Sequence, residues 1–143
     1  MTNTLLRAED LNAIIIDAEM KKMDEERAKK EKQAKQQGEL REAFMSREIH
    51  PEVMDRVNKV VLTAAGQGLK QVAVISFPAS YCNDKGRRIN NQLPDWPDSL
   101  EGFARRAYDF YLKELRPLGY KLYAEVVSFP GGIPGEISLF LKW

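Results

Sequence analysis

From residue 24 to residue 37 this chain carries only two apolar side chains, Ala28 and Ala34, and every other position is charged or glutamine. A stretch with so little to hide from water cannot belong to a core. It therefore divides the 143 residues into an arm and a body. The change of character falls near residue 45. Residues 1–44 read as a charged helical arm or partly disordered spacer, and residues 45–143 as one compact domain of ordinary size.

The arm is composed of helix-favouring residues, with Glu25/Lys29, Glu26/Lys30 and Glu31/Lys35 four apart. Each such pair adds only about 0.2–0.5 kcal/mol, enough to bias a helix and too little to dock it. Gly38 marks its expected end. Earlier, Leu11, Ile14, Ile15, Ala18 and Met23 recur at helical spacing and predict a narrow apolar stripe that needs a cover. The stripe is shorter than the three or four heptads that define a coiled coil. Residues 27–35 are locally basic, but they lack interleaved aromatics and follow the acidic Asp24-Glu25-Glu26.

In the body, Ile49-His50-Pro51-Glu52 opens a helix with Val53, Val57, Val60, Val61 and Ala64 on one face. Gly66 and Gly68 stop it. Residues 72–77 follow as a strand apolar on both faces, the pattern of a sheet interior. Asp98 and Glu101 stand at capping-box spacing and predict a second helix, which Arg116-Pro117-Leu118-Gly119 closes. Residues 120–129 and 136–143 read as two strands joined by a Gly/Pro-rich turn, hence an antiparallel hairpin. A strand-helix-strand crossover places its strands parallel. The expected fold is thus α+β: a two-layer α/β sandwich of order αβαββ, with a parallel pair plus a C-terminal antiparallel hairpin, preceded by the long charged helix. A short strand at residues 44–48 would extend the order to βαβαββ. By topology alone this resembles the two-layer domains in the carboxy-terminal half of a bacterial translation initiation factor and in the Alba chromatin proteins, with no motif to carry residues across.

The two strands end alike, in Ser76-Phe77-Pro78 and Ser128-Phe129-Pro130, and both phenylalanines are expected to be core anchors. Topology gathers these corners, His50 and Asp98 at one edge, beside the long loop of residues 78–97; loops of that length often carry function. Within it Lys85, Arg87 and Arg88 are candidate anion contacts near helix starts, and Trp96, between Pro94 and Pro97, is a candidate platform or plug. Cys82 and His50 invite a thiol-nucleophile reading.

Much is excluded. Net charge is +1, so no global field gathers nucleic acid or anionic lipid. One cysteine, Cys82, allows neither an internal disulfide nor a Cys-based zinc cluster. No phosphate-binding or dinucleotide glycine motif and no Gly-x-Ser-x-Gly elbow occurs, so no cofactor, no metal and no catalytic residue is expected. The apolar Ile14-Ile15-Ile16 is flanked by acids rather than by a signal-peptide pattern, and no stretch is long and apolar enough for a membrane span. The sequence reading is a cytoplasmic, non-enzymatic interaction module. Its partner is a protein or a second copy, met through Leu11, Ile14, Ile15 and Ala18. A nucleic-acid accessory protein using the loop and arm cations is the alternative, and a Cys82 thiol enzyme the third.

Overall fold

The computed structural model describes residues 5–143; residues 1–4 of the expected arm lie outside the described residues. The chain divides into two units, Met1–Glu42 and Ala43–Trp143. Helix α1, Ala8–Ser46, is 39 residues long and buries none of them. At 1.5 Å per residue it runs for about 58 Å. Glu9 and Asp10 stand in its first turn, where carboxylates meet the positive end of the helix dipole, and the Asp10 carboxylate accepts the Arg7 backbone N–H at 3.3 Å. The helix does not stop at Gly38. A mid-helix glycine costs roughly 1 kcal/mol, and the good helix formers on both sides of it outweigh that.

The second unit contains helix α2, Val53–Gly66, strand β1, Gln71–Pro78, and the single-turn helix α3, Arg87–Asn90. Helix α4, Gly102–Phe110, continues through a π-helical turn at Tyr111–Leu115. Strands β2, Lys121–Val126, and β3, Glu136–Lys142, complete it. The order in the sheet is β1-β3-β2, and both pairings are antiparallel.

This corrects the expected αβαββ sandwich built on a parallel pair. Strands β1 and β2 never pair, because β3 lies between them and takes a ladder from each. The hairpin of β2 with β3 is present; the likeness to the two-layer domains named above, which rested on the parallel pair, lapses. The long loop is also not bare: 3₁₀ turns at Ala79–Tyr81 and Trp96–Ser99 and helix α3 occupy it. The anticipated strand at residues 44–48 is instead the last turn of α1 and the irregular segment after it.

Strand β1 looked interior because it is apolar at successive positions, yet it is an edge. Its partners step from Ala73↔Phe140 to Ile75↔Leu139, which leaves Val74 as an extra residue. The bulge turns Val72, Ile75 and Phe77 to one face although their spacing is not strictly two. That face meets Ile137, Leu139 and Leu141 of β3, which are 0 %, 0 % and 1 % exposed, and the helices cover it. The opposite face pairs Ser76 with Ser138 through a 2.8 Å hydroxyl hydrogen bond and stacks Tyr123 on Phe140 with ring centroids 5.0 Å apart.

Two corner residues separate here. Phe77 is 2 % exposed and belongs to the main cluster with Leu100, Ala104 and Val126, whereas Phe129 is 51 % exposed. The second Ser-Phe-Pro is therefore not an anchor. Its Ser128 Oγ accepts the Glu136 backbone N–H at 2.9 Å and shapes the turn into β3. The expected capping box is likewise absent. Glu101 occupies the N-cap of α4 without a side-chain hydrogen bond, and Asp98 lies in the preceding 3₁₀ turn, 3.9 Å from Arg105.

Truncation should follow this map. Leu139→Ala is expected to lower the unfolding free energy by about 2–5 kcal/mol and Phe129→Ala by less than about 0.5 kcal/mol, measured by urea denaturation. A Phe129 effect as large as that of Leu139 would contradict the exposure.

Candidate functional site

The loop cations do not form one patch. Asp84 organises the turn: its Oδ1 accepts the Gly86 N–H at 2.9 Å and its Oδ2 the Arg88 N–H at 3.0 Å. The Arg88 guanidinium is then occupied by Asp95 at 3.3 Å and Asp84 at 3.9 Å. Lys85 and Arg87 remain exposed. Lys85 has φ of 60°, in the left-handed region, which the Asn83-Asp84-Lys85-Gly86 turn imposes. Trp96 is half-buried, packs on the main cluster and meets Tyr108 edge-on at 5.7 Å. Its geometry is that of a plug holding the loop down.

Cys82 is buried among the apolar residues of the same cluster. Burial raises its pKa to about 11; a hydrogen bond with Ser99 opposes the rise, and the charges of Asp84 and Glu101 add to it. At neutral pH the group is a thiol, not the thiolate a nucleophile needs. His50 is exposed, and its Nδ1 accepts the Glu52 backbone N–H at 3.0 Å, which starts α2. The two residues thus serve separate structural tasks. Among the described residues no group of His, Cys, Asp and Glu is arranged to hold a metal, and no helix is long and apolar enough to cross a membrane.

The arm's stripe lies on α1 with Leu11, Ile14, Ile15 and Ala18 all exposed. At 100° per residue these four share one side. Met23, twelve residues from Leu11, falls a third of a turn away and belongs instead with Ile16 and Met20, on nearly the opposite side. This second stripe, with Ile16 55 % and Met23 60 % exposed, is legible in the 16/20/23 spacing and corrects the single-stripe reading.

Sequence reasoning missed a cleft of about 380 Å³ in the second unit. Helix α2 fully buries Val61 and Ala64 in its C-terminal half, whereas Val53, Met54 and Val57 of its first two turns are only half-buried. Val53, Val57 and Ala107 form walls, and Leu139 and Leu141 lie at the sheet side. A sealed void of this size would cost about 9 kcal/mol at about 24 cal/mol per Å³, comparable to the whole stability of a small domain. The space is therefore an open cleft. Its basic side chains are those of Arg47, His50 and Arg56, and no Asp or Glu lines it.

No family model, curated protein or solved structure matches this chain.

Cys82 chemistry is testable directly. At pH 8 a thiol with pKa about 11 is ionised about a hundredfold less than an ordinary cysteine. A small aromatic disulfide reagent should react at least that much more slowly with the folded chain than with the urea-unfolded chain. The same shift sets a pH dependence. Because the folded pKa is raised, the stabilisation by protonated Cys82 is fully present below about 9 and is lost as pH rises toward about 11. Fast labelling of the native chain at pH 8 would contradict the buried, protonated thiol.

Proposed function

We propose that the chain is a non-enzymatic interaction module in which helix α1 engages a partner protein or a second copy of the chain. The observation that supports this most is the concentration of six large apolar side chains, Leu11, Ile14, Ile15, Ile16, Met20 and Met23, all about half exposed or more, in one third of a helix that buries nothing. Monomeric proteins seldom leave contiguous apolar surface to water. Two stripes on opposite sides suit a helix covered from both sides, as inside a bundle. A cytoplasmic setting suits the single reduced cysteine.

The other readings draw less support. A nucleic-acid role would use Lys85 and Arg87, but Arg88 is held by Asp84 and Asp95, and the net charge of +1 supplies no long-range attraction. A thiol enzyme would need an exposed, ionised Cys82, and the residue is buried with a raised pKa.

Light scattering coupled to size exclusion tests the proposal. The native chain is expected to elute as an oligomer at high micromolar concentration, and either Leu11→Asp/Ile15→Asp or Ile16→Asp/Met20→Asp to lower the mass with strand content unchanged. A native monomer excludes self-association and leaves the heterologous partner. The same samples titrated with labelled oligonucleotides at about 50 mM salt, where electrostatic binding is exaggerated, are expected to show no binding. Sub-micromolar binding that disappears in Arg87→Gln/Arg88→Gln would instead establish the nucleic-acid reading.

A further inference from the structure

We propose that the cleft beside α2 is a binding site for an anionic amphiphile, a molecule with a single flexible hydrocarbon chain and a carboxylate or phosphate head. This goes beyond the arm-mediated association and does not depend on it.

The body of the ligand follows from the walls. Val53, Val57, Ala107, Phe110, Leu115 and Leu139 are among the groups that enclose the space. Neither hydroxyl of its lining residues is free: Tyr111 donates to the Tyr120 carbonyl oxygen at 2.7 Å, and the Ser76 hydroxyl is bonded to that of Ser138 on the other face of the sheet. The interior therefore offers apolar contact and no free hydroxyl, which selects against a polar body. A volume of about 380 Å³ lies within the roughly 300–1,000 Å³ of small-molecule sites. The π-helical turn Tyr111–Leu115 contributes Tyr111 and Leu115 to the wall, and such turns recur at functional sites.

The head follows from charge. Arg47 and Arg56 are exposed, and neither is in an ion pair among the described residues. Arg47 lies with its guanidinium carbon 4.2 Å from the centre of the Phe103 ring, itself part of the cleft wall. The ring holds the cation in place and leaves its N–H groups open. With Arg47 and Arg56 present and acids absent from the lining, the cleft is positive at these two residues and mostly apolar elsewhere. That combination is complementary to an anionic head on a hydrocarbon chain, and it disfavours the same chain bearing a cationic head.

The test uses the full chain with ten-carbon probes below their micelle concentrations: decanoate, decyl phosphate, decanol and decyltrimethylammonium. Calorimetry and methyl NMR read binding and location. One site per chain is expected for decanoate or decyl phosphate, with the methyl signals of Val53, Val57 and Leu115 shifted; the relative affinity of the two anions separates a carboxylate from a phosphate head. Decanol is expected to bind at least about tenfold more weakly, and Arg47→Gln/Arg56→Gln to remove that difference. Ala107→Leu should block all binding. Should Ala107→Leu fail to fold, the arginine pair, at exposed positions, still decides the matter. Equal affinity for all four heads, shifts confined to Ile14–Ile16 of the arm, or no binding would each overturn the proposal, and each can be read whatever the oligomeric state.

Discussion

Strand β3 is the element on which the fold of the second unit depends, because it alone has two neighbours. Its register seats Ile137 between Phe77 and Val126, Leu139 between Ile75 and Ala124, and Leu141 between Val72 and Leu122. A slip of one residue would turn every one of these side chains to the other face, exchanging leucines for Ser138 and Phe140. Among the described residues neither β1 nor β2 pairs with another strand. The last segment to appear in the sequence thus joins the sheet, and the strands that precede it have no ladder until it arrives.

How far the sequence revealed this varies by element, for physical reasons. The clean alternation of Glu136-Ile137-Ser138-Leu139-Phe140-Leu141 made β3 and its hairpin with β2 legible, since the period of two is the direct consequence of the pleat. The partner of β1 was not legible. A parallel crossover and an inserted antiparallel strand leave the same signature in β1, and only the bulge at Val74 explains why an edge strand reads as apolar throughout. The Ser-Phe-Pro repeat misled because identical tripeptides met different surroundings: Phe77 faces the core at a strand end, while Phe129 lies beyond the end of β2. Gly102 shows information the sequence holds but does not display. Its φ is +57°, and a Cβ there would come within 2.6 Å of the Met45 Cα, so glycine is what allows α4 to begin against that backbone. Arg106 then donates to the carbonyl oxygens of Met45 and Arg47 at 2.8 and 3.0 Å, contacts about sixty residues apart that no local pattern announces.

The candidate sites divide along the same line. The stripe of Leu11, Ile14, Ile15 and Ala18 was read because helical spacing alone fixes which residues share a side; the same spacing, followed strictly, puts Met23 with Ile16 and Met20 instead. The cleft was not, since it arises from how α2, α4 and the sheet come together, a tertiary property. Val53 and Val57 carry the same periodic signal as Val61 and Ala64, yet only the latter pair is buried. Periodicity identifies a face that can be buried; whether it is packed depends on what stands opposite. The residues that give the cleft its charge, Arg47 and Arg56, lie nine positions apart among residues with ordinary surface roles, and they acquire a common meaning only through the lining they share.

Magnitudes constrain what can cover the arm. Full burial of a Leu, Ile or Met side chain contributes about 1.5–3 kcal/mol, and those of Leu11, Ile14 and Ile15 are already about half shielded by the helix itself, at 48 %, 54 % and 54 % exposure. Covering that stripe alone therefore contributes about 2–5 kcal/mol from this chain by the same coefficient, near the low end of the roughly 4–15 kcal/mol that association costs in lost freedom of motion. The second stripe of Ile16, Met20 and Met23 is of similar size and faces the other way. Enclosing both sides of α1 roughly doubles this chain's share, to about 5–9 kcal/mol, so in the proposed association a partner arrangement that covers both stripes would be held more firmly than one that covers a single side.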